Sequence, residues 1–194
     1  MVDLRTSIIE LPESSAEFQF FWDKQNKIRV AKDIIEKYSQ DTQVLFEYES
    51  IESRMIIAEE IILLESMILN INVFFDIIGK IIKTECNINI KAILKGKNTK
   101  NEFSNIENKV VEYYRCIENQ LIRNASNKLK HEGIVQFNYQ YGNGISSCFL
   151  CPFSTANYIS NNYYSTDAIY KISVKLSQKF IEIIELVKEY KTSI

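Results

Sequence analysis

Proline and glycine are nearly missing from this chain, with 2 and 5 occurrences in 194 residues. Folds built of many short strands need many turns, and turns draw on these residues, so the scarcity favours long helices. Histidine is rarer still. The single one, His131, leaves one imidazole for acid–base work near neutral pH. The 4 cysteines (Cys86, Cys116, Cys148, Cys151) are too sparse for a disulfide scaffold and read as reduced thiols. An excess of positive charge is lacking too. The 23 Lys and Arg against 25 Asp and Glu give a net charge of −2, which excludes a globally basic nucleic-acid coat but leaves room for a local basic patch. No phosphate-cradling glycine loop, nucleophile elbow or HExxH pair occurs.

The opening "MVDLRTSIIELPESS" carries acids and lacks the apolar core of a secretory signal. The most apolar region, 55–82, is interrupted by Glu59, Glu60, Glu65, Asn70, Asn72 and Asp76. That many polar groups would make a membrane helix costly, so a buried helix of a cytoplasmic protein is expected, with no membrane contact.

Periodicity locates the elements. In "PESSAEFQFFWDKQNKIRVAKDIIEKYSQ" Ser14 or Ser15 is the expected cap, with Glu17 near the capping-box position. Phe21, Ile28, Ala31, Ile35 and Tyr38 form its buried stripe. A second helix is expected from Ser50 or Ser53 to about Lys83, unbroken, with polar positions Glu52, Glu59, Ser66, Asp76, Lys80 and Lys83 on a narrow face. Such a helix is surrounded by others or by a partner chain. Residues 84–104 predict a short helix or strand around Ile88–Leu94, with Gly96 as the break. A third helix, capped by Ser104 or Asn105, is expected to run to His131 on the stripe Ile106, Val110, Tyr113, Ile117, Leu121, Ala125, Leu129. Val135, Phe137, Tyr139 and Tyr141 then alternate with polar residues up to Gly142-Asn143-Gly144, a β-hairpin pattern. The last helix, about Thr166–Lys191, faces inward through Ile169, Ile172, Leu176, Phe180, Ile183, Ile184 and Val187. The expected fold is all-α: a bundle of four main helices in one domain over 1–194, with a hairpin inserted at 134–152 before the last helix.

The stretch "IRNASNKLKHEG" holds the chemistry. Cleavage of RNA by internal attack needs a group to handle the 2′-hydroxyl and leaving-group protons, and a cation for the phosphate. His131 can be the first and Arg123 the second, without a metal or other cofactor. On a helix Arg123, Asn127 and His131 form a gently turning ridge, and Asn124 and Lys128 lie beside His131. The rise from Arg123 to His131 is about 12 Å. The same residues also satisfy ordinary rules for ending a helix, since Lys128, Lys130 and His131 complement the dipole and Gly133 suits the left-handed cap.

A helical chain with "RN" and then "KHEG" resembles the HEPN superfamily (higher eukaryotes and prokaryotes nucleotide-binding). The interval between Arg123 and His131, with seven residues intervening, is longer than the family's usual one. The resemblance implies an RNA- or nucleotide-associated protein, an endoribonuclease of a defence or toxin–antitoxin system acting as a homodimer. It implies Arg123 holding the phosphate, Asn124 positioning it and His131 as acid–base residue. Asn127 and Lys128 extend this as substrate-binding residues, and RNA and a cognate antitoxin or other protein are the implied partners. The alternative is a non-catalytic helical protein-interaction module.

Other patterns are weaker. Cys148-Phe-Leu-Cys151 has CxxC spacing but no second ligand pair, so buried cysteines in a strand are expected. Tyr139, Tyr141, Tyr158, Tyr163 and Tyr164 are accompanied by few cations and read as packing or protein contact. Lys91, Lys95, Lys97 and Lys100 form a solvated basic loop. Glu59 and Glu60 point about 100° apart and do not converge.

Overall fold

The structure is a computed structural model that describes residues 4–41, 51–96, 103–131, 136–142, 145–151, 154–155, 158–159 and 164–193. It is an all-α fold with a small β appendage. The helices are α1 (Leu4–Glu10), α2 (Ser15–Asp41), α3 (Ile51–Asn72), α4 (Phe74–Cys86), α5 (Ile90–Leu94), α6 (Ser104–Arg115), α7 (Ile117–His131) and α8 (Thr166–Thr192). The chain divides into two compact units. One comprises Met1–Gln25, Asn72–Gln120 and Val174–Ile194, and the other Asn26–Ile71 and Leu121–Ser173.

Four helices were expected, and the expected second and third are each broken. The break between α3 and α4 falls at Val73 (φ −80°, ψ −10°). Three residues earlier the Asn70 side-chain amide donates to the Ser66 carbonyl at 2.7 Å. A side chain entering the backbone ladder in this way loosens a helix locally.

The second break is at Cys116, whose ψ of 147° is extended. Straightening that residue removes the backbone partners of the preceding carbonyls. Side chains replace them: Asn119 Nδ2 donates to the Tyr114 carbonyl at 3.2 Å, and Gln120 Nε2 donates to that of Arg115 at 2.9 Å. Beyond the break, Gln120 N donates to the Cys116 carbonyl at 3.1 Å and α7 begins afresh. The turn shifts the buried stripe. Ile106, Val110 and Tyr113 are buried as expected, but Ile117 is 75% exposed and Asn119 is buried. Leu121 and Ala125 return to the core with Ile122 and Ser126, and Leu129 is half-buried.

Several caps differ as well. A 3-10 turn, Pro12–Ser14, leads into α2, and the Ser14 hydroxyl donates to Glu85 Oε1 at 2.5 Å instead of capping. Helix α6 starts after Phe103 with no side-chain cap, so neither Ser104 nor Asn105 serves. Other boundaries fall where the residues point. Asn87 takes the left-handed conformation that ends α4 (φ 56°), Asn89 accepts from Lys91 N at the start of α5, and Gly96 (φ 67°) breaks the chain after it.

Within the first unit Phe21 stacks on Phe180 with centroids 3.9 Å apart and meets Phe74 at 4.8 Å, joining α2, α8 and α4. The second unit buries Ile28, Ala31 and Ile35 of α2, Leu64, Met67 and Ile68 of α3, and Ile169 of α8. It also holds the sheet. Strands β1 (Gln136–Gly142) and β2 (Ile145–Cys151) pair antiparallel, Gln136 opposite Cys151 and Gly142 opposite Ile145, which is the expected hairpin ladder. Strands β3 (Ser154–Thr155) and β4 (Tyr158–Ile159) pair with each other, and β5 (Tyr164–Ser165) pairs with β2 just before α8. Ser50, Lys97, Lys100, Gly133, Val135, Asn143, Gly144 and Tyr163 lie outside the described residues, as do the side chains of Tyr38, Glu52, Ser53, Phe137, Tyr139, Tyr141, Cys148, Cys151 and Tyr158.

The stretch Ala58–Cys86 has the length and composition of a membrane span, with a mean hydropathy of 2.0. Half of its most apolar window is buried inside the fold.

The repair of the second break can be tested. Asn119→Ala strands a carbonyl in a buried setting and is expected to cost about 1–3 kcal/mol. Gln120→Ala, at an exposed position, is expected to stay within about 0.5 kcal/mol. Urea denaturation of both variants measures the difference, and an Asn119→Ala cost below about 0.5 kcal/mol would show that its amide does not hold the break.

Candidate functional site

Helix α7 carries all five residues singled out in the sequence. Leu121, Ile122, Ala125 and Ser126 are buried, and this fixes the opposite side outward. Asn124, Asn127 and His131 are exposed, and Arg123 and Lys128 are half-buried. Successive residues advance about 100°, so Asn124, Asn127, Lys128 and His131 share an arc of about 100° with Arg123 at its edge. The helix ends at His131, which puts three basic side chains, Lys128, Lys130 and His131, against the negative end of the dipole.

The five residues therefore share one helical flank, but as a line rather than a cluster. Arg123 and His131 sit more than two turns apart, about 12 Å along the axis. Spanning that rise with one phosphate requires both side chains of the chain to extend toward each other. What the flank can do alone is run along a polyanion, with cations and amides meeting successive phosphates.

A second polar group lies in the first unit. Ser14 is fully buried and donates to Glu85, whose other oxygen pairs with Lys191 at 3.3 Å. Cys86 is next to this group. Burial first, then the Glu85 carboxylate, pushes its thiol up to about 11 against the opposing pull of Lys191. A thiol held protonated is a poor nucleophile. Cys116 is raised likewise by burial. Both read as structural.

A third set lines α6, the start of α7 and α8. Lys109 pairs with Glu182 at 3.0 Å and with Glu112 at 3.3 Å, Glu112 also accepts from Lys179, and Glu118 accepts from Lys175. The Lys179 hydrogen bond, followed by that of Lys109, holds the Glu112 carboxyl below its usual range. These pairs tie α6 and the start of α7 to α8 and converge on no reacting centre. Among the described residues no group of three His, Cys, Asp or Glu side chains could hold a metal ion.

One feature of the first unit had no single stretch of sequence to announce it. A cavity of about 500 Å³ lies beside α4, lined by Phe20, Val73, Phe75, Asp76, Ile77, Gly79, Lys80, Lys83 and Ile90. Phe20 comes from α2 and Ile90 from α5, and Ile90 approaches so closely that a Cβ on Gly79 would sit 3.3 Å from its Cγ2. Periodicity marks Lys80 and Lys83 as a solvated face but cannot say which other segments lie beside them.

Comparisons with protein-family models, curated proteins and solved structures find no match to this chain.

Two expectations follow from the titratable groups. Because the Glu112 carboxyl is lowered in the folded state, its contribution is complete above its ordinary value of 4.5 and is lost as the pH falls through the lowered value. The stability difference between the wild type and Glu112→Gln is thus expected to shrink from about pH 7 to about pH 3. A difference that stays constant in urea titrations across this range would refute it. Alkylation with iodoacetamide at about pH 8, read residue by residue by mass spectrometry, is expected to modify Cys86 at least about a hundred-fold more slowly than a free thiol. A rate equal to that of the free thiol would show the group to be neither buried nor raised.

Proposed function

We propose that this chain is a HEPN-like, RNA-associated helical protein of the cytoplasm that works as a metal-independent endoribonuclease in a defence or toxin–antitoxin setting. One observation carries the reading: the exposed flank of α7, with Asn124, Asn127, Lys128 and His131 along it and Arg123 at its edge, backed by a buried apolar side.

The 12 Å separation gives the reading its form. In a homodimer with two α7 helices antiparallel, Arg123 of one copy comes near the phosphate that His131 of the other copy serves. The 2′-oxygen then attacks phosphorus and the 5′-oxygen departs. His131 removes the 2′-proton and its conjugate acid returns one to the leaving oxygen. Arg123 balances the charge that develops on the phosphoryl oxygens. Asn124, Asn127 and Lys128 hold neighbouring parts of the strand. Apolar residues facing outward on α3 support a self-association, since Ile62 is 61% and Leu69 38% exposed seven positions apart on one face.

The same two residues favour the second reading, a non-catalytic module that binds a cognate antitoxin or another protein partner through its apolar face.

Cleavage of a labelled single-stranded RNA separates the two. His131→Ala is expected to lower the cleavage rate by at least about a hundred-fold with RNA affinity nearly intact. Lys128→Ala is expected to weaken RNA binding and reduce its salt dependence by about one phosphate contact. If wild-type protein neither binds nor cuts RNA, the interaction module stands instead. Mixing Arg123→Ala with His131→Ala protein should restore part of the activity, because one of the two sites in a mixed dimer is then intact.

A further inference from the structure

The cavity beside α4 differs from α6 and α8 of its unit in how its charges are used. Lys109, Lys175, Lys179, Lys188 and Lys191 of α6 and α8 each hold a carboxylate. Lys80 and Lys83, one turn apart on the rim of the cavity, pair with no carboxylate among the described residues. Asp76, one turn before Lys80, is the other charge on that rim. Two cations and one anion leave a net charge of +1, which suits a single negative head better than a polyphosphate.

The wall beneath is apolar and chiefly aliphatic, from Val73, Ile77 and Ile90. The two aromatic residues are engaged. Phe75 packs on Tyr113 and Tyr114 with centroids 5.8 and 5.1 Å away, and the Lys24 ammonium lies 4.8 Å from the centroid of Phe20. A flat base would find little open ring to stack on, whereas a flexible chain needs only apolar walls. The volume, about 500 Å³, falls within the range usual for small-molecule sites.

We propose that this cavity binds a fatty-acid-like carboxylate. Its aliphatic tail lies along Val73, Ile77, Ile90 and the edges of Phe20 and Phe75, and its head sits between Lys80 and Lys83. The site goes beyond the reading of α7 and does not depend on it.

Titration calorimetry of the full chain with decanoate, kept below its micelle concentration, tests this. Saturable one-to-one binding is expected. The Lys80→Ala/Lys83→Ala double variant should bind roughly ten-fold more weakly, and decyltrimethylammonium should not bind. Both lysines are exposed, so circular dichroism melts of the double variant should match the wild type. Val73→Trp, which fills the cavity from its half-buried wall, should remove binding with the lysines still in place. The proposal is overturned if decanoate gives no saturable heat, if the cationic amphiphile binds as well, or if affinity is unchanged in either folded variant.

Discussion

Two side-chain amides, those of Asn119 and Gln120, decide the course of the chain in its second half. They accept the role that backbone N–H groups give up when Cys116 leaves helical geometry, donating to the carbonyls of Tyr114 and Arg115. Without them two carbonyls would lose these partners, that of Tyr114 at a part-buried position, where an unmade hydrogen bond costs more than a made one contributes. With them the break is tolerable, and α7 sets off in a new phase. Ile117 turns to solvent while Asn119 turns inward. Every residue after it inherits that phase, including the side of α7 on which Arg123, Asn124, Asn127, Lys128 and His131 stand.

Ion pairs and rings secure the neighbouring helices in different ways. The Phe74, Phe21 and Phe180 rings make a continuous aromatic column between α4, α2 and α8, and offset or tilted rings add to the apolar area they bury. The lysines of α8 reach back to Glu112, Glu118, Glu10 and Glu85. Exposed pairs of this kind contribute little each, but they do occupy their charges. Among the described residues Lys80 and Lys83 of α4 hold no carboxylate, so their charges are open to an outside anion. Two distinct anion chemistries result: a linear polar flank suited to a polyanion, and a short cationic rim above aliphatic walls suited to an amphiphile.

Much of the fold was legible in the residues. The stripe Ile169, Leu176, Phe180, Ile183, Ile184, Val187 is buried along α8, and Phe21, Ile28, Ala31 and Ile35 are buried along α2, because a 3.6-residue period is a direct record of one-sided burial. The alternating tyrosines did announce the β1–β2 ladder. The flank of α7 was legible for the same reason, since the order of residues around one helix is set by geometry alone. The cavity beside α4 was not, because Phe20, Val73 and Ile90 meet there from separate segments.

Order along the chain, by itself, determined the helical character, the position of the hairpin and the identity of the polar residues that share α7 with the only histidine. These are consequences of local periodicity and of how little glycine and proline there is to interrupt it. Tertiary structure alone decided where long helices break, which serines cap and which are buried partners of a carboxylate, and which of the described lysines hold a carboxylate. Each of these is a competition between a local bond and a distant one, as when Ser14 gives its hydroxyl to Glu85, 71 residues away, and a linear pattern holds only one of the two competitors.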